Sequence, residues 1–216
     1  MTDVFIVNAE AVELDNIWDR LSEARAEKIK RLKSDGQKRL SAAAELALAA
    51  AVKSRFPGAA APVNYYYDKN GKPRLAELDA YISISHSGSF AACAVSDAEI
   101  GADIQEVKRV DMRLAERFFA PDEYALLKNS ENKSRTFFEL WVRKEARVKL
   151  TGEGIGGGFS RSDISGDGVF EYFSQSIKNG KYMIGICRYG EKNGETGKSK
   201  LNRIKIHEID IDFSAK

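Results

Sequence analysis

Trp141-Val142-Arg143-Lys144-Glu145-Ala146-Arg147-Val148-Lys149 has the spacing of a helix rather than a strand. With about 3.6 residues per turn, Phe137, Trp141 and Val148 fall on one stripe, so a helix beginning near Arg135 presents that stripe to a core. Glu145 and Lys149, four apart, project one turn above the other from a neighbouring face. As a surface pair they add roughly a few tenths of a kcal/mol to the helix. A carboxylate beside an ammonium is also the start of a site that binds a metal and handles a phosphate. What the rest of the chain brings to this helix decides between the two.

The chain has 216 residues, enough to bury a sizeable core in one domain or two small ones. At 43% hydrophobic and 31% charged it has the composition of an ordinary globular protein, neither disordered nor membrane-bound. The net charge of +2 hides a local imbalance. Between Arg20 and Arg55, the bases Arg20, Arg25, Lys28, Lys30, Arg31, Lys33, Lys38, Arg39, Lys53 and Arg55 face only Glu23, Glu27, Asp35 and Glu45. Such a region points to a phosphorylated ligand, a nucleic acid or an acidic protein partner. The opening residues lack the basic and apolar parts of a signal peptide, and the Ala-rich run at 42–52 is interrupted by Glu45, so a cytoplasmic chain without a membrane span is expected. Cys93 and Cys187 sit in short apolar runs and read as buried thiols.

Along the chain, Val4–Val7 reads as a strand, followed by a helix from about Asp15 to Lys33 that Ser34-Asp35-Gly36 breaks. A second helix from about Gln37 to Lys53 carries alanines suited to close packing. Strands are expected at 65–67, at 81–84 with a hairpin partner at 90–95, and at 100–105. Asp68 to Pro73 reads as a turn. Leu114–Phe119 looks helical, and Pro121 sits near the first position of the next helix. Thr151 to Gly158 closes the helix of Glu145 and opens a flexible loop, without the Gly-Lys-Ser/Thr ending of a P-loop. Strand-like runs at 169–176 and 181–188 are hinged at Asn179-Gly180. A polar loop spans 190–200, and a last strand spans 201–213, its alternation changing phase near His207-Glu208 as at a bulge. The expected fold class is α+β; a helical region followed by a β-hairpin in each half gives a rough symmetry, and two pseudo-equivalent halves, if real, would put the active site in the cleft between them.

Two positions stand out. Asp103 lies in an otherwise apolar strand, where an acid is unfavourable and costly to bury alone. It either faces solvent or has a cationic or metal partner. His86 sits where a strand turns, as a polar turn residue, an anion-binding imidazole or a general base. Its neighbour Ser85 points to the other side of the chain, which argues against a Ser-His nucleophilic pair. His207 receives no role.

These residues carry a resemblance. Gly-x-Asp at 101–103 and Trp-x-x-Lys-Glu-Ala-x-x-Lys at 141–149 resemble the signature pair of the 4′-phosphopantetheinyl transferases, in particular the two-halved surfactin-synthetase-activating type. Asn-Gly-Lys-Pro at 70–73, Ile-Ser-His-Ser at 84–87, Arg-Phe-Phe-x-x-x-Glu-Tyr at 117–124 and Gly-x-Gly-Ile at 152–155 follow the family's order. The resemblance implies transfer of the phosphopantetheine arm of coenzyme A to a serine of an apo acyl or peptidyl carrier protein. Adenosine 3′,5′-bisphosphate leaves, and Mg²⁺ is required.

In that family's terms Asp103 and Glu145 are metal ligands, Glu145 takes the serine proton, and Lys149 neutralises the pyrophosphate. Arg25, Lys28, Arg39, Lys72, Pro73, Ser85 and His86 match coenzyme A-binding positions, and Glu123 matches an acid near the metal waters. Gln105 stands where many relatives have a third acidic ligand, so a water, or Gln105 as a weak or outer ligand, is expected there. The implied division is an N-terminal half, 1–98, binding the coenzyme A phosphates, and a C-terminal half, 99–216, with the metal site and the carrier contact. A monomer is expected. The competing reading is a non-catalytic module that binds coenzyme A or nucleic acid. The near-neutral net charge and the lack of a reader motif disfavour nucleic acid.

Overall fold

The computed structural model describes residues 1–154, 159, 164, 168–190 and 204–211. Continuous apolar runs, buried on both faces, build the centre of its first sheet. β1 (Thr2–Asn8) pairs antiparallel with β5 (Phe90–Ser96), and β5 with β4 (Tyr81–Ser87). One face of this sheet, with Phe5, Val7, Ala91, Cys93 and Val95, packs on α2 (Asp35–Arg55) through Ala43, Ala44, Ala47, Leu48 and Ala51. Small side chains let the helix lie close. The opposite face, with Val4, Ile6, Ala92 and Ala94, packs on a second sheet through Ile100, Ala102, Ile104, Ile184 and Ile186.

That second sheet runs in the order β6 (Ile100–Glu106), β8 (Tyr182–Tyr189), β7 (Phe170–Ile177). α5 (Lys133–Thr151) covers its far side. The layers are therefore helix, sheet, sheet, helix, a mixed α and β architecture. Glycine sets how closely α5 approaches. A Cβ at Gly101 would stand 1.8 Å from the Ala146 carbonyl oxygen, and one at Gly185 would stand 2.5 Å from that of Val142. The helix backbone rests directly on the two strands there.

β4 also meets the outer edge of β6. Ser83, Ser85 and Ser87 share one side of β4. The Ser83 hydroxyl accepts the Ala102 N–H at 2.9 Å and the Ser87 hydroxyl accepts the Glu106 N–H at 3.0 Å. Side chains thus satisfy edge donors that a further strand would otherwise take.

Several expectations change in detail. The helix expected over 15–33 is two short 3-10 turns, Leu14–Asn16 and Trp18–Arg20, and then α1 (Glu23–Arg31). Leu21 is extended, and the Ser22 hydroxyl accepts the Arg25 N–H, a capping arrangement that starts the helix at residue 23. Asp35 and Gly36 do not break a helix. They form the first turn of α2, where an acid suits the positive end of the helix dipole. The first sheet gains two short strands, β2 (Tyr65–Tyr67), which was expected, and β3 (Pro73–Leu75), which was not.

α3 (Met112–Phe118) and α4 (Pro121–Asn129) fall where expected, with Pro121 opening α4 and the Glu123 carboxylate accepting the Ala120 N–H at 2.8 Å. Gly152, at φ 76°, closes α5. β9 (Lys205–Ile209) pairs with β1 in parallel and unbroken register, so no bulge interrupts it at His207-Glu208. The pairing stacks the His207 ring on Phe5 at 4.6 Å and brings His207 Nε2 to 3.0 Å from Asp3. Residues 155–158 of the expected loop, 191–200 of the polar loop and the two ends of the strand expected over 201–213 lie outside the described residues. Among the described residues no helix is long and apolar enough to cross a membrane.

Candidate active site

The close contact of α5 with β6 decides where the chemistry sits. Gly101 and Asp103 share a face of β6, so the glycine that admits α5 brings the aspartate under the same helix. Asp103 is 3% exposed. Its Oδ1 accepts Lys149 Nζ at 2.7 Å and the Ser85 hydroxyl at 2.6 Å. Its Oδ2 accepts Gln105 Nε2 at 3.0 Å. The buried carboxylate thus has a cation and two neutral donors.

Lys149 pairs with Asp103 rather than with Glu145, its neighbour one helical turn back. Glu145 is half-buried, and its pKa rises to about 7. Burial is the main cause, the Asp103 charge adds to it, and Lys149 opposes both. Two carboxylates near enough to repel, with one ammonium against them, form a hard-oxygen donor set suited to a small divalent cation such as Mg²⁺. Among the described residues no three of His, Cys, Asp and Glu gather as a metal cluster. A cation here would rest on these two carboxylates with water or substrate oxygens completing the shell.

Gln105 sits at the third position but turns its amide N–H to Asp103 and its oxygen to the Ser87 hydroxyl, 3.3 Å away. It presents a donor to the site rather than a ligand oxygen.

Beside the trio opens a pocket of about 310 Å³. Arg25 and Lys28 on α1, Lys72 and Pro73 at the start of β3, His86 on β4 and Lys149 on α5 line it. The structure therefore brings together six of the positions singled out from sequence. Lys72 is 7% exposed, pairs with Glu99 and donates to the Leu150 carbonyl at 3.2 Å, so it ties the 70–73 turn to the end of α5. Burial lowers its pKa, with Glu99 opposing. His86 stands at the rim. Its pKa is lowered by partial burial first, then by the charges of Lys149, Lys28 and Arg25. Arg25, Lys28, Lys72, His86 and Lys149, five cationic or hydrogen-bonding groups on one hollow, make a setting suited to an anion.

Three positions lie elsewhere. Ser85 is buried on the side of β4 away from His86 and meets Asp103 instead of lining the pocket. Arg39 lines a second hollow with Asp15, Trp18, Lys30 and Lys38. Ala44, the α2 residue that lines the main pocket, is five residues on, about 140° round the helix. Glu123 is fully engaged, accepting Lys144 Nζ at 2.7 Å, the Ala120 N–H and the residue 164 N–H at 2.9 Å.

Sequence reasoning missed Glu99, the partner of Lys72, and the outer serines 83 and 87. The Ser83-Ile84-Ser85-His86-Ser87 alternation was the available signal, since it places three hydroxyls on one side of a strand.

Comparison with known proteins agrees with this geometry. Residues 99–179 match the family model described as the 4′-phosphopantetheinyl transferase superfamily. The chain is 46% identical over 94 residues to 4′-phosphopantetheinyl transferase psf-1 of Bacillus pumilus, covering 42% of this chain and 40% of that protein. It is 35% identical over 96 residues to 4′-phosphopantetheinyl transferase Sfp of Bacillus subtilis strain 168, covering 43% of each. A 4′-phosphopantetheinyl transferase of Bacillus subtilis matches at 31% over 150 residues, 67% of this chain and 66% of that one. The aligned stretch of psf-1 spans 40% of that relative's own length. Family model, relatives and site residues converge on one assignment: the chain belongs to the 4′-phosphopantetheinyl transferase superfamily.

Proposed function

We propose that the protein transfers the 4′-phosphopantetheine arm of coenzyme A to a serine of an apo acyl or peptidyl carrier protein, releasing adenosine 3′,5′-bisphosphate. The observation that carries this reading is the meeting of Asp103, Glu145 and Lys149 at the edge of a cation-lined pocket. Phosphoryl transfer asks a protein for charge neutralisation and positioning more than for covalent chemistry. Lys28, Arg25 and His86 hold the phosphates of the nucleotide portion, and Lys72 and Lys149 flank the pyrophosphate.

The carrier serine oxygen forms a bond to the β-phosphorus while the bond from that phosphorus to the bridging oxygen breaks. Glu145 accepts the serine proton. A cation bound beside it would offset the burial and the Asp103 charge that raise this carboxyl in the metal-free site, and so keep it ionised to accept a proton. Lys149 neutralises charge that builds on the bridging oxygen, a contribution made in the transition state. Ser85 and Gln105 hold Asp103 in place, one donor on each carboxylate oxygen. Mg²⁺ on Asp103 and Glu145 supplies positive charge to the pyrophosphate oxygens when bound.

In this reading the part of the chain up to residue 98 holds the coenzyme phosphates, and the part from 99 onward holds the metal and meets the carrier. The likeness of the two halves rests on one long helix across the outer face of each sheet, α2 on the first and α5 on the second. The chain acts as a monomer on a soluble carrier.

Incubation with coenzyme A, Mg²⁺ and a panel of apo carriers, followed by intact mass measurement, tests the proposal. A phosphopantetheine mass on at least one carrier, absent with chelator, is expected. Unmodified carriers throughout would count decisively against it.

A further inference from the structure

Glu45 is the one acid on the buried face of α2, set among alanines, leucines and Ser41, and it is 2% exposed. A carboxylate in such a place needs donors around it. It has three. Its Oε1 accepts the Ser22 N–H at 3.2 Å, and its Oε2 accepts Arg25 Nε at 3.0 Å and the Tyr65 hydroxyl at 3.2 Å. Arg25 in turn donates Nη1 to the Ser41 hydroxyl at 3.4 Å and Nη2 to Tyr65 Oη at 3.0 Å. That leaves one hydrogen on each terminal nitrogen of a guanidinium that lines the pocket.

The elements tied together are the pocket walls themselves. Ser22 is the N-cap of α1, and α1 carries both Arg25 and Lys28. β2 carries Tyr65 and the pocket residue Tyr67. α1 is nine residues long, and Arg25 and Ile29 are its only buried residues. A helix this short does not hold its shape alone. Ile29, the partly buried Ala26 and the bonds to Glu45 and Ser41 hold it against α2.

We propose that Glu45 is a positioning residue for the anion-binding wall: it fixes the start of α1 and orients Arg25, and so places Lys28 over the pocket. The inference rests on the phosphate-site reading given above. It adds that the affinity of that site is set by a buried carboxylate that touches no ligand.

Two variants test it. Glu45→Gln keeps the shape but loses the charge and an acceptor, while Tyr65→Phe removes only the hydroxyl shared by Glu45 and Arg25. In Glu45→Gln the KM for coenzyme A should rise about tenfold with kcat within about twofold, since uniform binding is lost and the chemistry is spared. Tyr65→Phe should raise KM by about threefold, since Arg25 Nε still holds Glu45 and only the shared hydroxyl is lost. Hydrogen exchange on the ligand-free protein should show α1 amides exchanging faster in Glu45→Gln, with β1 and β5 unchanged. Adenosine 3′,5′-bisphosphate, which carries the phosphates assigned to Arg25 and Lys28, should bind correspondingly more weakly by calorimetry.

An unchanged KM in both variants with α1 still protected would overturn the proposal. So would a loss of protection throughout the sheet with apparent kcat falling and KM unchanged, which would make Glu45 a core residue only. Exchange and adenosine 3′,5′-bisphosphate binding need no turnover. A wild-type protein that transfers nothing, while Glu45→Gln still exposes α1 and weakens adenosine 3′,5′-bisphosphate binding, would overturn the transferase reading and leave the positioning role standing.

Discussion

Asp103 holds the site together at the scale of single residues. Its isolation in an apolar strand marked it in the sequence, and the structure supplies its partners: Lys149 and Ser85 on one oxygen, Gln105 on the other. The partner expected for Lys149 from helical spacing alone was Glu145, four residues away. The spacing describes one helix and says nothing of a strand beneath it, so the ion pair to Asp103 was not legible. Gln105 was legible as a departure from an acidic pattern, but not the direction its amide faces.

That direction yields a prediction. Gln105→Glu exchanges a donor to Asp103 for a third carboxylate beside it. The metal-free protein should lose about 1–2 kcal/mol in urea unfolding, the scale of a lost bond to a charged group plus a like-charge contact. The Mg²⁺ concentration for half-maximal transfer should fall. No change in either would mean that Gln105 does not face Asp103 in solution.

Among elements, the contact of α5 with β6 governs the geometry, and Gly101 governs that contact. In Gly101→Ala the new Cβ would meet backbone atoms, the Ala146 oxygen at 1.8 Å and the Leu150 nitrogen at 2.6 Å, and these cannot swing aside. The helix must shift and take Glu145 and Lys149 with it. We expect a loss of about 3 kcal/mol or more in unfolding free energy, at the upper end of overpacking effects. Transfer should become undetectable. Gly58→Ala, where an added Cβ meets nothing within 4 Å, is the control and should leave both unchanged.

The serines of β4 make a second test. Ser83→Ala strips the Ala102 N–H of its acceptor. It should cost about 1–3 kcal/mol, as for an unsatisfied buried donor, and should speed exchange at the β6 edge. Long periodic elements were readable: α2, α5 and the paired strands fall within a few residues of their expected bounds. The region before α1 was not. Ile17, Leu21 and Ile29 have helical spacing, yet the chain reaches them through 3-10 turns because Ser22 caps a later start and gives its N–H to Glu45. A bond to a residue 23 positions away leaves no local trace.

At the scale of the molecule, two sheets pack face to face with one long helix outside each, and the pocket opens where α1, α2 and β4 meet the end of α5. The α+β class followed from alternation and helical periodicity. The pairing of β9 with β1, which returns the end of the described chain to the first sheet, did not, since strand order depends on contacts that no local pattern encodes. The convergence of Lys28, Lys72, His86 and Lys149 on one hollow was expected only through family resemblance.

The most direct test of the central claim is a crystal structure with coenzyme A and Mg²⁺ bound. The account predicts the pyrophosphate between Lys72 and Lys149, the metal on Asp103 and Glu145, and Gln105 still donating to Asp103 outside the metal shell. Coenzyme A seated instead in the hollow of Lys38 and Arg39, or a metal that leaves Asp103 untouched, would contradict it.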